Sequence, residues 1–211
     1  MIKIFLADDH YLIRQGLKKL FGDESDLKVV GDTASPFDVI PFIEKNDCDI
    51  LILDINFPAK DGIEILKEIK ERKPSVKVLM LSMNPEERYA LRTIKAGASG
   101  YLSKDASPEE LILAVKRVAS GRKYITPSLA ERMAFEFDNT SKKSDHEELS
   151  DREFQVLRML ASGLGQKEIA EELSLSPSTI NSYRSRVFEK LGFNNNSDLV
   201  QYALMNKLID S

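Results

Sequence analysis

The sequence predicts a doubly wound α/β domain built on a parallel sheet, followed by a smaller all-helical domain. Three observations carry this reading. The run Ile50-Leu51-Ile52-Leu53 is apolar without alternation, as in a strand buried on both faces at the centre of a parallel sheet. Further strand-like runs stand at Ile2–Ala7, Val76–Leu81 and Gly100–Ser103, separated by helix-length intervals. Past residue 145 the pattern becomes apolar residues at helical spacing, punctuated by capping residues.

The first strand runs into Asp8-Asp9, and the central strand ends in Asp54. Parallel sheets collect ligands at the carboxyl ends of their strands, so three carboxylates are expected to converge on one edge. Crowded acids raise one another's pKa values, and a site that keeps them ionised binds a cation. Oxygen donors favour Mg²⁺ over zinc. Mg²⁺ prefers one or two carboxylates plus a phosphate, which makes Asp54 a candidate nucleophile toward a phosphoryl group. The third and fourth runs end in Ser82 and Lys104, a hydroxyl and an ammonium suited to phosphoryl oxygens. Tyr101, an aromatic within a strand, reads as packing. His10 reads as a surface or capping residue, and Asp61-Gly62 as a turn without chemistry.

Ser107-Pro108-Glu109-Glu110 combines a capping serine, a first-turn proline and a glutamate, and opens a helix that ends near Ser120-Gly121. Thr126-Pro127 opens a further short helix through about Phe135. The stretch Asp138 to Asp145 offers nothing apolar to bury and is expected to be a flexible linker.

Ser150-Asp151-Arg152-Glu153 is a capping box for a helix carrying Phe154, Val156, Leu157, Leu160 and Ala161, stopped by Gly163. A second helix, Gln166 to Leu173, turns Ile169, Ala170 and Leu173 inward. After the turn Ser174-Leu175-Ser176, Pro177 starts a third helix with Ile180, Tyr183, Val187 and Leu191 at helical spacing, ended by Gly192. Two helices joined by a three-residue turn read as a helix-turn-helix. Its outward face, Asn181, Ser182 and Ser185 flanked by Arg184 and Arg186, suits a major groove. Asparagine reads adenine, serine serves donor or acceptor bases, and arginines and helix N-termini grip phosphates.

The charge balance is less supportive. From residue 145 onward there are seven basic against eleven acidic residues, so DNA affinity must rest on a local patch. No acid stands between Glu172 and Glu189, while Arg184 and Arg186 lie within that interval. Modest monomer affinity and dependence on dimers are expected.

Composition fits two modest domains: 211 residues, 42% apolar and 30% charged. No apolar stretch approaches the roughly 18–20 residues that span a bilayer, and the start has no signal-peptide pattern, so the chain is expected in the cytoplasm, away from membranes. The single cysteine, Cys48, cannot form an internal disulfide and reads as core filler.

The ordered set Asp8-Asp9, Asp54, Ser82 and Lys104 resembles the receiver domain of two-component response regulators, over residues 1 to about 120. The resemblance implies a flavodoxin-like sheet of five parallel strands alternating with five helices. It implies that Asp54 accepts a phosphoryl group from a phosphohistidine on a sensor histidine kinase. It makes Asp9 a direct Mg²⁺ ligand beside Asp54, with Asp8 helping through water or hydrogen bonds and Asn56 giving its backbone carbonyl. Ser82 and Lys104 then hold phosphoryl oxygens, and Tyr101 is the aromatic that swings inward as Ser82 moves. Asn56 and Asn84 are implied to influence hydrolysis. Met83 is larger than the residue many receivers carry there, which bears on access. Asp105 stands where many have proline, which leaves the isomer of the Lys104–Asp105 bond open.

Residues 148–211 resemble the LuxR-type four-helix domain through Leu149-Ser150-Asp151-Arg152-Glu153, Gly163, Lys167-Glu168-Ile169-Ala170, Leu173, Ser176, Thr179-Ile180, Lys190-Leu191-Gly192 and a closing helix from Ser197 to Asn206. Together the two halves are similar to a NarL/FixJ-type regulator. The division implied is a receiver over 1–121, a short helix and linker over 122–147, and a DNA-binding domain over 148–211. Expected DNA contacts are Lys167, Ser178, Thr179, Asn181, Ser182, Arg184, Ser185, Arg186 and Lys190. Leu199, Val200 and Ala203 are candidate dimer contacts, open equally to internal packing. The partners implied are promoter DNA with inverted or direct repeat half-sites, the cognate kinase and a second copy on activation, with RNA polymerase a candidate. No turnover of small substrates is expected. A haloacid-dehalogenase-type phosphohydrolase would want an aspartate two positions past Asp54, where Asn56 stands. The stronger alternative is a phosphorylation-independent regulator using the receiver as a binding platform.

Overall fold

The computed structural model describes residues 1–83, 86–138, 145–206 and 208–209. Asn84, Lys207 and most of the expected linker lie outside the described residues. The chain divides into two compact units, Met1–Phe135 and Glu136–Ser211.

In the first unit β1 (Ile2–Ala7), β2 (Leu27–Thr33), β3 (Ile50–Asp54), β4 (Lys77–Ser82) and β5 (Gly100–Ser103) form one parallel sheet in the order β2-β1-β3-β4-β5. The strands alternate with α1 (Tyr11–Gly22), α2 (Val39–Lys45), α3 (Gly62–Arg72), α4 (Glu86–Lys95) and α5 (Pro108–Ala119). Every residue of β3 is buried. Alternate side chains serve opposite layers: Ile4, Leu6, Ile50 and Ile52 pack with Leu17 and Phe21 of α1 and with Leu111, Val115 and Val118 of α5. Phe5 points the other way, and its ring stacks on Phe42 of α2 at 3.8 Å. The strand order reverses between β1 and β3, and the C-terminal ends of these two strands flank the crevice where such sheets bind ligands.

Ser107 caps α5 by accepting from the Glu110 amide at 3.2 Å, with Pro108 in the first turn, as the sequence predicts. Beyond α5, Tyr124 pairs in parallel with Gly100 at the start of β5. Its amide donates to the Ser99 carbonyl at 2.9 Å, and its hydroxyl donates to Glu110 at 2.7 Å. The helix α6 (Pro127–Asp138) follows, running past the expected end at Phe135.

In the second unit a 3₁₀ turn (Asp145–Glu148) precedes α7 (Asp151–Ala161), α8 (Gln166–Glu172), α9 (Pro177–Leu191) and α10 (Asn196–Met205). The capping box forms as the sequence predicts: the Ser150 hydroxyl accepts from the Glu153 amide at 3.3 Å, and Glu153 Oε2 accepts from the Ser150 amide at 2.8 Å. Val156, Ile169, Ala170, Leu173 and Ile180 make the core. Gly192 ends α9 in the left-handed conformation, φ 67°. The turn between α8 and α9 places Ser174, a residue with a side chain, at φ 53°. No helix among the described residues is long and apolar enough to cross a membrane.

Candidate functional site

Asp8, Asp9 and Asp54 sit together because β1 and β3 are neighbours whose parallel register pairs Ala7 with Leu53. The residues following each pair therefore leave the sheet side by side. Asp8 and Asp54 are buried, at 3% and 2% exposure. Lys104, just past the end of β5, reaches across β4 to both: its Nζ lies 2.7 Å from Asp54 Oδ2 and 2.7 Å from Asp8 Oδ2. The contact with Asp54 is a well-directed hydrogen bond, whereas Asp8 Oδ2 makes an ion pair without hydrogen-bond geometry.

Burial pushes the Asp54 carboxyl above the usual carboxylate range, against the downward pull of Lys104, and the Asp8 charge adds to the rise. Burial by itself lowers Lys104, but the facing Asp54 and Asp8 carboxylates outweigh it and hold the ammonium above its ordinary value. One buried cation thus faces two buried acids, with a third beside them.

Asp54 Oδ1 accepts from the Asn56 amide at 3.2 Å. Ser82 is fully buried at the end of β4, and its carbonyl accepts from the Lys104 amide at 2.8 Å. That bond ties the hydroxyl and ammonium positions together. Tyr101 is buried, two residues before Ser103, the register partner of Ser82. Met83 is 60% exposed, and the Lys104–Asp105 peptide bond is trans.

Three supports of this site escaped the sequence reading. Arg14 of α1 is buried, donates to the Asp8 carbonyl at 2.7 Å and pairs with Asp32 of β2 at 3.0 Å. An arginine three residues before the buried Leu17, on the inward stripe of α1, was the available signal. Gly62, which in sequence reads as half of a turn, is where α3 presses onto the end of β3: a Cβ there would lie 2.1 Å from the Asp54 carbonyl oxygen. Asp61 caps that helix by accepting from the Ile63 amide at 2.7 Å. The third is His10, whose Nδ1 stands 2.8 Å from Asp9 Oδ1 and 3.1 Å from Asp8 Oδ1.

Donor atoms of Asp8, Asp9, His10 and Asp54 all lie within 4.8 Å of one another. Asp8 Oδ2 and Asp9 Oδ1 are buried acceptors without a hydrogen bond. Clustered carboxylate oxygens suit a hard divalent cation, so the residues present fit Mg²⁺.

In the second unit Asn181, Ser182, Ser185 and Arg186 are exposed on α9, and Lys167 and Ser178 are exposed nearby, with Thr179 half-buried. Ser176 caps α9 and its hydroxyl lies 2.7 Å from those of Ser178 and Thr179. Arg184 is more committed: its guanidinium stacks 4.2 Å from the Phe188 ring and donates to Asn196 at 3.0 Å. Lys190 does not join this face. Its ammonium lies 2.6 Å from Glu153 Oε2, the oxygen that also completes the capping box. Leu199 and Ala203, read as dimer contacts or packing, are buried at 1% and 0%, whereas Leu204 and Met205 on the same helix are exposed at 42% and 77%. Val200 is half-buried.

The family profile for the response regulator receiver domain matches residues 4–116, and that for bacterial regulatory proteins of the luxR family matches residues 147–203. The chain belongs to the NarL/FixJ response regulators. It is a two-component response regulator with a LuxR-type DNA-binding domain. The regulator is 35% identical to response regulator UvrY of Escherichia coli (strain K12), across 100% of this chain and 97% of that protein. It is 34% identical to the oxygen regulatory protein NreC of Staphylococcus carnosus, across 99% of this chain and 100% of the relative. Among solved structures it is similar to RcsB of Salmonella enterica serovar Typhimurium bound to promoter rprA with the phosphomimetic BeF3-, at TM-score 0.64 and 27% identity, over 95% of this chain and 97% of that one.

Proposed function

We propose that this regulator is switched by phosphorylation of Asp54 and that the switch shifts dimerisation and promoter binding. The observation that carries the reading is the pair of 2.7 Å contacts from the buried Lys104 ammonium to Asp54 and Asp8. A buried cation held at the acceptor is a preformed partner for the charge that arrives there. In the reaction, an Asp54 carboxylate oxygen forms the new P–O bond as the P–N bond of a kinase phosphohistidine breaks. Asp8, Asp9, Asp54 and the Asn56 carbonyl would hold Mg²⁺, which when bound supplies positive charge against the carboxylates and the phosphoryl oxygens.

The acyl phosphate carries roughly 1.5–2 negative charges, by analogy with other phosphorylated side chains, in place of the single charge of the carboxylate. Lys104 and the Ser82 hydroxyl gain phosphoryl oxygens as partners, and the ordering of Ser82 is passed to the neighbouring Tyr101. The switch works only if the phosphorylated form binds one conformational state better than the other. The receiver is assigned to residues 1–121 and the DNA-binding domain to 148–211, joined by 122–147. Lys167, Ser178, Thr179, Asn181, Ser182, Arg184, Ser185 and Arg186 form the proposed DNA face, and Lys190 is left out because Glu153 holds it. Leu204, Met205 and Val200 replace Leu199 and Ala203 as the proposed pairing surface of α10. A sensor kinase, repeat half-sites and RNA polymerase complete the proposed partners, with activity in the cytoplasm.

The test is Mg²⁺-dependent labelling by acetyl phosphate, read together with oligomeric state and operator affinity. Wild type is expected to label and to change in both, and Asp54→Ala to do neither. An Asp54→Ala protein that responds to the phosphodonor as wild type does overturns the reading.

A further inference from the structure

We propose that Gln166, the first residue of α8, sets base specificity as a positioning residue: its side-chain amide holds Asn181 of α9 in the orientation that reads adenine. The inference rests on the reading of α9 as the DNA face and adds a residue that is not among the contacts of that face.

The geometry comes from how α8 and α9 cross. Ile169 and Ala170 of α8 and Ile180 of α9 are buried in one cluster with Val156 and Leu173. Ile169 lies one helical turn past Gln166, and Ile180 immediately precedes Asn181. Locking the two isoleucines therefore locks the backbones that carry the two amides, the half-buried Gln166 and the exposed Asn181. The start of α8 is fixed further by its cap: Glu168 Oε2 accepts from the Gly165 amide at 2.7 Å, and the Gly165 carbonyl accepts from the Ile169 amide at 3.0 Å. From this position Gln166 Nε2 donates to Asn181 Oδ1 at 3.3 Å.

An asparagine amide has an acceptor at one end and donors at the other, and in free solvent it turns over to present either. A donor at residue 166 removes that freedom by keeping Oδ1 on its own side. Both Nδ2 hydrogens and the second lone pair of Oδ1 stay open. In the major groove adenine offers N7 as an acceptor and its N6 amino group as a donor, which Asn181 meets at once with Nδ2 and that remaining lone pair. Guanine offers acceptors at both N7 and O6, which would set Oδ1 against an oxygen. The adjacent Ser182 discriminates less, because its hydroxyl already donates to the Ser178 carbonyl at 3.0 Å. The choice of base at this point on α9 therefore falls on Asn181 and on whatever holds it.

The test selects binding sites for the full-length protein, treated with acetyl phosphate, from a pool of randomised duplex DNA and compares base preferences between variants. Asn181→Ala is expected to lose about tenfold in preference for adenine at one position of the selected site, which marks the base pair that Asn181 reads. Gln166→Met, close in length but without hydrogen bonds, is expected to lose most of the preference at that same position and to keep the others. Gln166→Lys retains a donor and retains the preference. Gln166→Glu offers only acceptors, turns Asn181 Nδ2 toward itself and shifts the preferred base toward cytosine, whose N4 amino group donates to the freed Oδ1. A residue that merely packs would not separate Lys from Glu in this way. An unchanged adenine preference in Gln166→Met, at a position that Asn181→Ala abolishes, overturns the role of Gln166 and leaves the DNA face standing. So does a change confined to positions that Asn181→Ala leaves alone. Asn181→Ala without any altered position, or wild type that enriches no sequence, overturns the DNA reading of Asn181 and the role of Gln166 together.

Discussion

The acidic edge of the receiver and the outward face of α9 are built in opposite ways. At the sheet edge the charged groups are buried and bound to one another, with Lys104 held between two acids. On α9 the polar groups are mostly exposed and two arginines carry the positive charge, one of them already stacked on Phe188. A buried charge cluster tolerates little change, so chemistry there is fixed by position. An exposed polar face is free to vary, so its specificity depends on each side chain and its dependence on salt.

The sharpest way to separate the two regions is Gly62→Ala. The new methyl would meet the Asp54 carbonyl at 2.1 Å and the Ile55 Cα at 2.8 Å, backbone atoms that cannot move aside without displacing β3 or α3. We expect a loss of about 3 kcal/mol or more in receiver stability, together with loss of acetyl phosphate labelling. Thermal unfolding should show the receiver transition falling while that of the DNA-binding domain holds. A receiver as stable and as readily labelled as wild type would contradict the close packing of α3 on β3.

Glu153 tests the second region through pH. Burial pushes this carboxyl up, but Lys190 and the Ser150 amide outweigh it and hold it below the usual range. A depressed folded value means the ion pair and cap stabilise the domain above the unfolded value of 4.5 and lose that contribution as pH falls through the folded one. Glu153→Gln should cost about 2 kcal/mol at neutral pH, in the range of hydrogen bonds to charged groups, and flatten the acid limb of the stability curve. An unchanged acid limb would show that the pair contributes nothing.

Asp54 carries the opposite sign. Its raised folded value means that ionisation opposes folding: the stability of the neutral form is present below about pH 3.8 and is lost as pH rises through the folded value. Asp54→Asn is therefore expected to raise the receiver's melting temperature by a few degrees at pH 7 and to leave it unchanged near pH 3. A lower melting temperature at pH 7 would mean that Lys104 more than offsets the cost of burying the charge.

The smallest effect belongs to α9. Arg186→Ala should weaken DNA binding a few-fold at low salt and reduce the salt dependence by about one phosphate contact, without changing which bases are preferred. A change in base preference would move Arg186 from a phosphate grip to a base contact.

The legibility of the sequence follows the same division. Asp8, Asp9, Asp54, Ser82 and Lys104 were readable because each interrupts or ends an apolar run, and parallel strands bring such ends together whatever the intervening helices contain. The caps at Ser107 and Ser150 were readable for a similarly local reason. Arg14 and Gly62 were hidden because their importance lies in what they touch across the fold: one pins the Asp8 carbonyl, the other makes room for the Asp54 backbone. Leu199 and Ala203 are ambiguous in sequence because helical spacing identifies a stripe without saying which of two stripes faces inward, and the pairing of Lys190 with Glu153 is hidden because it spans the fold. Only the packing of α10 on α7 decides that Leu199 and Ala203 are inside and Met205 outside.

The pairing of Tyr124 with Gly100 has a geometric consequence. β5 is a short rod of four residues, about 13 Å long. One end leads into Lys104, and the other is clasped by the chain that has just left α5. Four residues held in register with β4 thus separate the ammonium at the acidic edge from the clasp that precedes α6.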